Sequence, residues 1–293
     1  MEEYSIELNY NLEVDENDVT SFVAKVKEEV PSYSNNKQVL TACFNAIDLT
    51  TLNATDGFER GELFAQRVNE FPQKYPNLGN VAAICVYPAL VPAVRETLEA
   101  EGVSVASVAA GFPSSQTFID IKLSECQMAM EMGADELDVV ISLGSYLEGD
   151  LFSVFSELQQ MVEAADEAAH VKVILETGAL PSLKDVRIAS FLAMEAGAHF
   201  IKTSTGKMEP AATLEAVYVM CKAIKEYHEQ TGRMVGIKPA GGVVTPEDAI
   251  GYYLIVKHVL GDKWLTPEWF RLGASRLANN LVARITGAEV NYF

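Results

Sequence analysis

Eight short β-rich runs, most followed by a segment long enough for a helix, constrain this chain of 293 residues more than any other feature. They are read at 46–52, 80–87, 103–109, 136–143, 171–177, 199–204, 234–239 and 270–273. The stretches 89–101, 117–132, 184–197, 211–229 and 246–260 each suit one crossover helix. Glycines punctuate helix ends, as at Gly133 and Gly197, where a left-handed residue stops a helix at little cost. Several runs are continuously apolar, the pattern of parallel strands covered on both faces. Eight repeats predict a single (β/α)8 TIM barrel; six or seven would suit an open doubly wound sheet.

A barrel needs ~250 residues, so this chain has room for an extension. Residues 1–37 are assigned to an N-terminal helical extension and 38–293 to the barrel with a C-terminal tail. Asp15 or Asn17 caps a first helix, with Val19, Phe22, Val23, Val26 and Val30 along one face. Pro31 to Asn36 reads as a break, and a second helix near 37–45 leads into the first strand. Extra N-terminal helices of this kind cover either the bottom of a barrel or an oligomer interface, such as that of a homodimer. Both readings stay open.

The net charge of −19 argues against nucleic acid as a partner, because its phosphates would be repelled. No stretch approaches the ~20 apolar residues of a membrane span. The start, Met1-Glu2-Glu3-Tyr4, is acidic and lacks an apolar run, so a cytoplasmic protein is expected. Cys43, Cys85, Cys126 and Cys221 are far apart with no C-x-x-C spacing, as reduced thiols would be. The histidines show no ligand spacing, so neither metal nor cofactor is expected. The acidity has one further consequence. An anionic substrate would need a local positive pocket.

In such barrels the catalytic groups sit at the C-terminal ends of strands, here Asp48, Cys85, Asp138, Glu176, Lys202 and Lys238. Two lysines end neighbouring strands, although an unpaired ammonium is costly to bury. Adjacent strands lie ~4.8 Å apart, so two inward ammonium groups would approach within roughly 5 Å. At an effective dielectric of ~20 their repulsion costs about 3 kcal/mol. Repulsion and desolvation together would leave one amine uncharged near neutrality, and an uncharged amine attacks a carbonyl. The alternative is a structural ion pair between one lysine and Asp138 or Glu176. Asp48 and Thr50-Thr51, ending strand one, either hold substrate hydroxyls or orient Lys238, and for Asp48 a structural role is equally open. Cys85 is read as a small core residue.

Two loops suit a phosphate. Lys238-Pro239-Ala240-Gly241-Gly242 follows strand seven, and consecutive glycines let backbone N–H groups approach an anion. Gly273-Ala274-Ser275-Arg276 opens a helix after strand eight, aiming its N-terminus at the same place. Ser204-Thr205-Gly206-Lys207 fails the full P-loop pattern, and Lys207 is read as a further cation near the phosphate.

The runs D-L-T-T-L (48–52), N-V-A-A-I-C-V-Y-P (80–88), A-D-E-L-D-V-V (134–140), V-K-V-I-L-E-T-G (171–178), F-I-K-T-S-T-G-K (200–207), G-I-K-P-A-G-G-V (236–243) and R-L-G-A-S (271–275) resemble the 2-deoxyribose-5-phosphate aldolase family, over roughly residues 38–287. The resemblance implies a metal-free class I aldolase that reversibly cleaves 2-deoxy-D-ribose 5-phosphate to acetaldehyde and D-glyceraldehyde 3-phosphate. By motif, Lys202 forms the imine, Lys238 lowers its pKa, and Asp138 works with water as proton donor and acceptor. Lys207, Gly241, Gly242 and Ser275 would hold the phosphate. Three features depart from the family. Arg276 stands where relatives often have a second serine, Tyr292 is penultimate instead of terminal, and the N-terminal extension has no recognised counterpart. The rival readings are another lysine-dependent sugar-phosphate aldolase and a non-catalytic sugar-phosphate-binding barrel.

Overall fold

The computed structural model describes residues 10–166 and 168–293. Among them run eight strands: β1 (Ile47–Thr50), β2 (Ala83–Val86), β3 (Ser104–Ala109), β4 (Glu136–Val140), β5 (His170–Ile174), β6 (Phe200–Lys202), β7 (Gly236–Lys238) and β8 (Leu272–Ala274). Their order is β7-β6-β5-β4-β3-β2-β1-β8, with every named pair parallel. Parallel bridges Ile237 to Phe270 and Ala240 to Gly273 join β7 to β8, so the sheet closes into the expected barrel. The strands are shorter than the apolar runs, because residues at one or both ends of a run turn into the loops at the mouth or the floor.

Eleven helices accompany the strands among the described residues. They are α1 (Glu16–Tyr33), α2 (Lys37–Asn45), α3 (Phe58–Lys74), α4 (Val91–Thr97), α5 (Ile119–Glu131), α6 (Leu143–Leu147), α7 (Leu151–Ala165), α8 (Leu183–Glu195), α9 (Leu214–Thr231), α10 (Pro246–Val259) and α11 (Arg276–Thr286). Their starts follow ordinary capping chemistry. Thr245 and Asp248 form a reciprocal capping box at α10, and Thr213 accepts from the N–H of Ala216 at α9. Alternation along each strand sends Leu49, Ile84, Leu137, Val173, Ile201 and Ile237 outward into the core beneath the helices, where all are fully buried.

Asp15 caps α1, its carboxylate accepting from the N–H groups of Asn17 and Asp18. Pro31 sits inside the last turn of α1 instead of ending it, so the break begins at Ser34, and Asn36 then caps α2. A proline removes one hydrogen bond, and in a final turn few remain to lose. α1 packs on α9 and α10, with Phe22 stacked on Tyr218 at 4.1 Å. Residues 10–12 continue across α8, where Tyr10 stacks on Phe191 and the Arg187 Nε donates to the carbonyl of Asn11. This part of the extension therefore covers a flank of the barrel and not its bottom. Residues 1–9 lie outside the described residues.

The C-terminal tail packs on the α3 side. Tyr292 donates its hydroxyl to the carbonyl of Arg67 at 2.8 Å, and Phe293 stacks on Phe71.

Candidate active site

β6 and β7 run in register, with Lys202 opposite Lys238 and Phe200 opposite Gly236. Ile201 and Ile237 point outward, so both lysines point into the barrel. The Phe200 ring occupies the space beside Gly236, where any Cβ would come within 2.3 Å of it. Only glycine fits there.

The interior has two unlike halves. On β2 and β3 it holds Ala83, Cys85, Ala106 and Val108, which with Leu52 form a small apolar cluster. The remaining strands contribute ionisable groups, namely Asp48, Glu136, Asp138, Lys172, Lys202, Lys238 and Arg271, each at most 6% exposed. Lys202 and Lys238 both donate to Asp138 Oδ2, each at 2.7 Å. The other oxygen of Asp138 accepts from Lys172 at 3.0 Å. Lys172 also reaches Glu136 at 2.5 Å and Asp48 at 3.4 Å, and Lys238 pairs with Asp48. Below them, Arg271 bridges Asp48 at 2.7 Å and Glu136 at 2.8 Å.

Four cations thus face three carboxylates, so the cluster is balanced only when one cation gives up its proton. The geometry selects which one. Lys172 touches three carboxylates and Lys238 two, whereas Lys202 touches Asp138 alone. Burial is the main force pushing the pKa of Lys202 down; Asp138 opposes it and Lys238 adds to it, and the net direction is down. Burial also pushes on Lys238 and Lys172, but their carboxylates outweigh it and the net direction is up for both. Burial alone would raise Asp138, yet the three lysines hold it well below the usual carboxylate range. Repulsion between two lysines and desolvation are both expected from the sequence. In the structure a shared carboxylate lies between them, and desolvation is the larger cause.

Lys202 is also the member of the cluster that reaches the surface of a cavity of about 420 Å3 at the C-terminal mouth of the barrel. Thr50, Gly241, Gly242, Ser275 and Lys207 line that cavity too. Gly241 and Gly242 have φ of +83° and +73°, and a Cβ on Gly242 would meet nothing within 4 Å, so this turn faces open space. Ser275 precedes α11 without capping it by a side chain, leaving the first N–H groups of that helix available to an anion. Lys207 is fixed through its ammonium to the carbonyl of Leu52, and its N–H donates to Thr205. Thr205 in turn donates to Glu176 Oε2 at 2.5 Å, so Glu176 braces this loop and contacts no lysine of the cluster. Arg276 lines the cavity wall beside Ser275.

Asp48 does not line the cavity. It is fully buried beneath Lys238 and pairs with Lys172, Lys238 and Arg271, so of the roles expected for it, holding substrate hydroxyls is the one its position does not allow. Thr50 does line the wall, and its hydroxyl donates to the carbonyl of Asp48 at 2.8 Å. Cys85 is fully buried in the apolar half, its thiol pKa pushed up by burial. Tyr292 does not line the cavity. Sequence reasoning overlooked Lys172, Glu136 and Arg271 as a group, although strand parity alone places Glu136 with Asp138 and puts Lys172 between two outward valines. It also overlooked Arg60, a cavity-lining cation on α3 that stacks on Phe64 at 4.2 Å.

The model of the DeoC/LacD family aldolases matches residues 43–251. The deoxyribose-phosphate aldolase of Mus musculus is 42% identical over 254 residues, covering 82% of this chain and 78% of the mouse protein. The Homo sapiens protein of the same name is 42% identical over 249 residues, with the same coverages, 82% and 78%. Among solved structures, deoxyribose phosphate aldolase from Aeropyrum pernix matches with a TM-score of 0.66 at 23% identity, covering 87% of this chain and 97% of that one. That last likeness is one of fold. On the family match and the relatives' identity over most of its length, this chain belongs to the DeoC/LacD family of aldolases.

Proposed function

We propose that the protein is a class I aldolase that reversibly cleaves 2-deoxy-D-ribose 5-phosphate to acetaldehyde and D-glyceraldehyde 3-phosphate. The observation that carries this reading is Lys202, the least compensated cation of a buried cluster, placed on the wall of a cavity that also holds Lys207, Arg60 and Arg276. Its uncharged amine attacks the aldehyde carbon of the open-chain sugar to give a carbinolamine, whose hydroxyl takes up a proton and leaves as water, so that an iminium remains. A base takes the proton of the hydroxyl on the third carbon, and the bond between the second and third carbons breaks. Its electron pair enters the iminium to give an enamine and releases glyceraldehyde 3-phosphate. Protonation of the enamine and hydrolysis then free acetaldehyde and restore the amine.

Asp138 is the carboxylate in contact with the reacting nitrogen, so proton movements there pass through it or through water beside it. Its depressed pKa makes it a transient carrier and keeps it anionic at rest. Lys238 holds the same carboxylate oxygen and fixes its direction. Gly241, Gly242, Ser275 and Lys207 take the phosphate, with Arg60 and Arg276 supplying further positive charge. This offsets locally the repulsion from a chain of net charge −19.

Among the described residues no helix is long and apolar enough to cross a membrane. We infer a cytoplasmic setting, supported by four cysteines that are buried and unpaired.

The test is borohydride reduction with acetaldehyde, followed by peptide mass mapping, alongside an assay of deoxyribose 5-phosphate cleavage. An ethyl adduct on Lys202 and release of acetaldehyde are expected. An adduct on Lys238 would reverse the two lysine roles. Preferential turnover of ketose phosphates, or binding without any adduct, would overturn the reading.

A further inference from the structure

The ionic cluster continues well below the reacting amine. Glu136 and Arg271 reach the opposite mouth of the barrel, where they help line a second cavity of about 330 Å3 together with Asp135, His170 and Glu268. From that floor the contacts run upward without a gap. Glu136 holds Lys172 and Arg271, Lys172 holds the second oxygen of Asp138, and Asp138 holds Lys202.

We propose that Glu136 and Lys172 are positioning residues that set the charge of Lys202 from the floor of the barrel, although neither lines the substrate cavity. The inference rests on the aldolase reading and extends it. The physical basis is the charge count. Removing a carboxylate from the floor leaves the cluster with two surplus cations, and the least compensated amine then holds its proton still more weakly. Removing Lys172 leaves three cations against three carboxylates and frees one oxygen of Asp138, so Lys202 keeps its proton more tightly. The two changes must therefore act in opposite directions. A merely structural role would not produce that sign reversal.

The charged and titratable groups facing this interior can be named strand by strand. They are Asp48 on β1, Cys85 on β2, Glu136 and Asp138 on β4, Lys172 on β5, Lys202 on β6, Lys238 on β7, and Arg271 immediately before β8. β3 offers Ala106 and Val108 to the interior and no titratable side chain. Lys238 and Asp48 are common to both variants, so they do not supply the difference in sign.

The experiment measures the pH dependence of acetaldehyde trapping on Lys202 by borohydride, in the wild type, Glu136→Gln, Lys172→Met and Lys172→Arg. The acid limb should move down by about one pH unit in Glu136→Gln and up by about one and a half or more in Lys172→Met. These are the sizes expected of a unit charge removed from roughly 10 Å for Glu136 and from roughly 8 Å or less for Lys172, which shares the Asp138 carboxylate with Lys202, at an effective dielectric of ~20. Lys172→Arg, which keeps the charge, should hold the limb near the wild-type position. Limbs that move in the same direction, or stay still while trapping persists, would overturn the proposal. Should Lys172→Met fail to fold, the isosteric Glu136→Gln decides alone: a folded variant with an unmoved limb overturns it. A wild type that traps no acetaldehyde would instead refute the aldolase reading, and this proposal with it.

Discussion

On their outer face the strands of this barrel present Leu49, Ile84, Leu137, Val173 and Ile201 to a continuous apolar core. On the inner face, often one residue away, the same strands present Asp48, Asp138, Lys172 and Lys202. Both sets are buried, but the physics of burial differs. Each outward aliphatic contributes roughly 1.5–3 kcal/mol by leaving water. Each inward charge loses hydration worth several kcal/mol, which only close partners offset. The outer face therefore holds the barrel together, while the inner face uses that stability to keep one amine poorly compensated. Alternation with period two lets one short strand serve both ends.

Opposite consequences for opposite faces give the predictions. Lys202→Leu should lower cleavage by roughly 10³-fold or more and abolish trapping, because Lys207, the other lysine on the cavity wall, keeps its ammonium on the carbonyl of Leu52. Its thermal midpoint should be unchanged or raised, since removing the surplus cation leaves three cations facing three carboxylates, and Asp138 keeps Lys172 and Lys238 as partners. A large loss of stability would show that the inner cluster also holds up the fold. Ile201→Ala, the neighbouring residue on the other face, should do the reverse. It should cost about 2–5 kcal/mol in denaturant unfolding and leave the pH profile of the remaining folded enzyme in place. A shifted profile would mean that the two faces are not separable.

Lys238→Leu should slow cleavage about 10- to 100-fold near neutral pH and move the optimum upward, because Asp138 would then lean more on Lys202. An unchanged optimum would remove Lys238 from the electrostatic account. Arg60→Ala and Arg276→Ala should each raise KM for the phosphorylated substrate by about tenfold, with acetaldehyde trapping unaffected. Equal losses with phosphorylated and unphosphorylated sugars would show that neither guanidinium reads the phosphate.

The smallest effect belongs to the edge between the faces. His199 accepts from the N–H of Val171, and burial, with smaller contributions from His170 and Arg233, pushes its pKa from the ordinary 6.5 down to about 4. The unfolded chain therefore binds a proton that the folded chain refuses between those values. The stability this histidine contributes is present above pH 6.5 and is lost as pH falls toward 4. The thermal midpoint of the wild type should fall more steeply across that window than that of His199→Gln. Parallel slopes would contradict the assignment.

The barrel was legible because eight runs of apolar residues recur at intervals that admit one crossover helix each. Lys202 and Lys238 were legible because a lysine closing an apolar strand is costly without a purpose. Lys172 was harder to read, since it lies inside Val171-Lys172-Val173, and only the register with Glu136 and Asp138 shows what it balances. Asp48 was half legible. Its strand end suggested the cavity, but the alternation that turns Lys238 inward sets Asp48 beneath it. Arg60 carried no signal in the strand pattern, because the loop before α3 decides where it points. In that loop Asp56 accepts from the Thr51 hydroxyl at 2.6 Å and the Asn53 N–H at 2.9 Å. The flank position of α1 likewise depends on tertiary pairs such as Phe22 with Tyr218, which no local pattern encodes.

The most direct test is an NMR titration of the lysine side chains in the wild-type protein, with Lys202 assigned through Lys202→Leu. The amine at position 202 should lose its proton below the usual lysine range, while Lys172 and Lys238 remain protonated at that pH. A Lys202 that stays charged as long as its two neighbours would contradict the account at its centre.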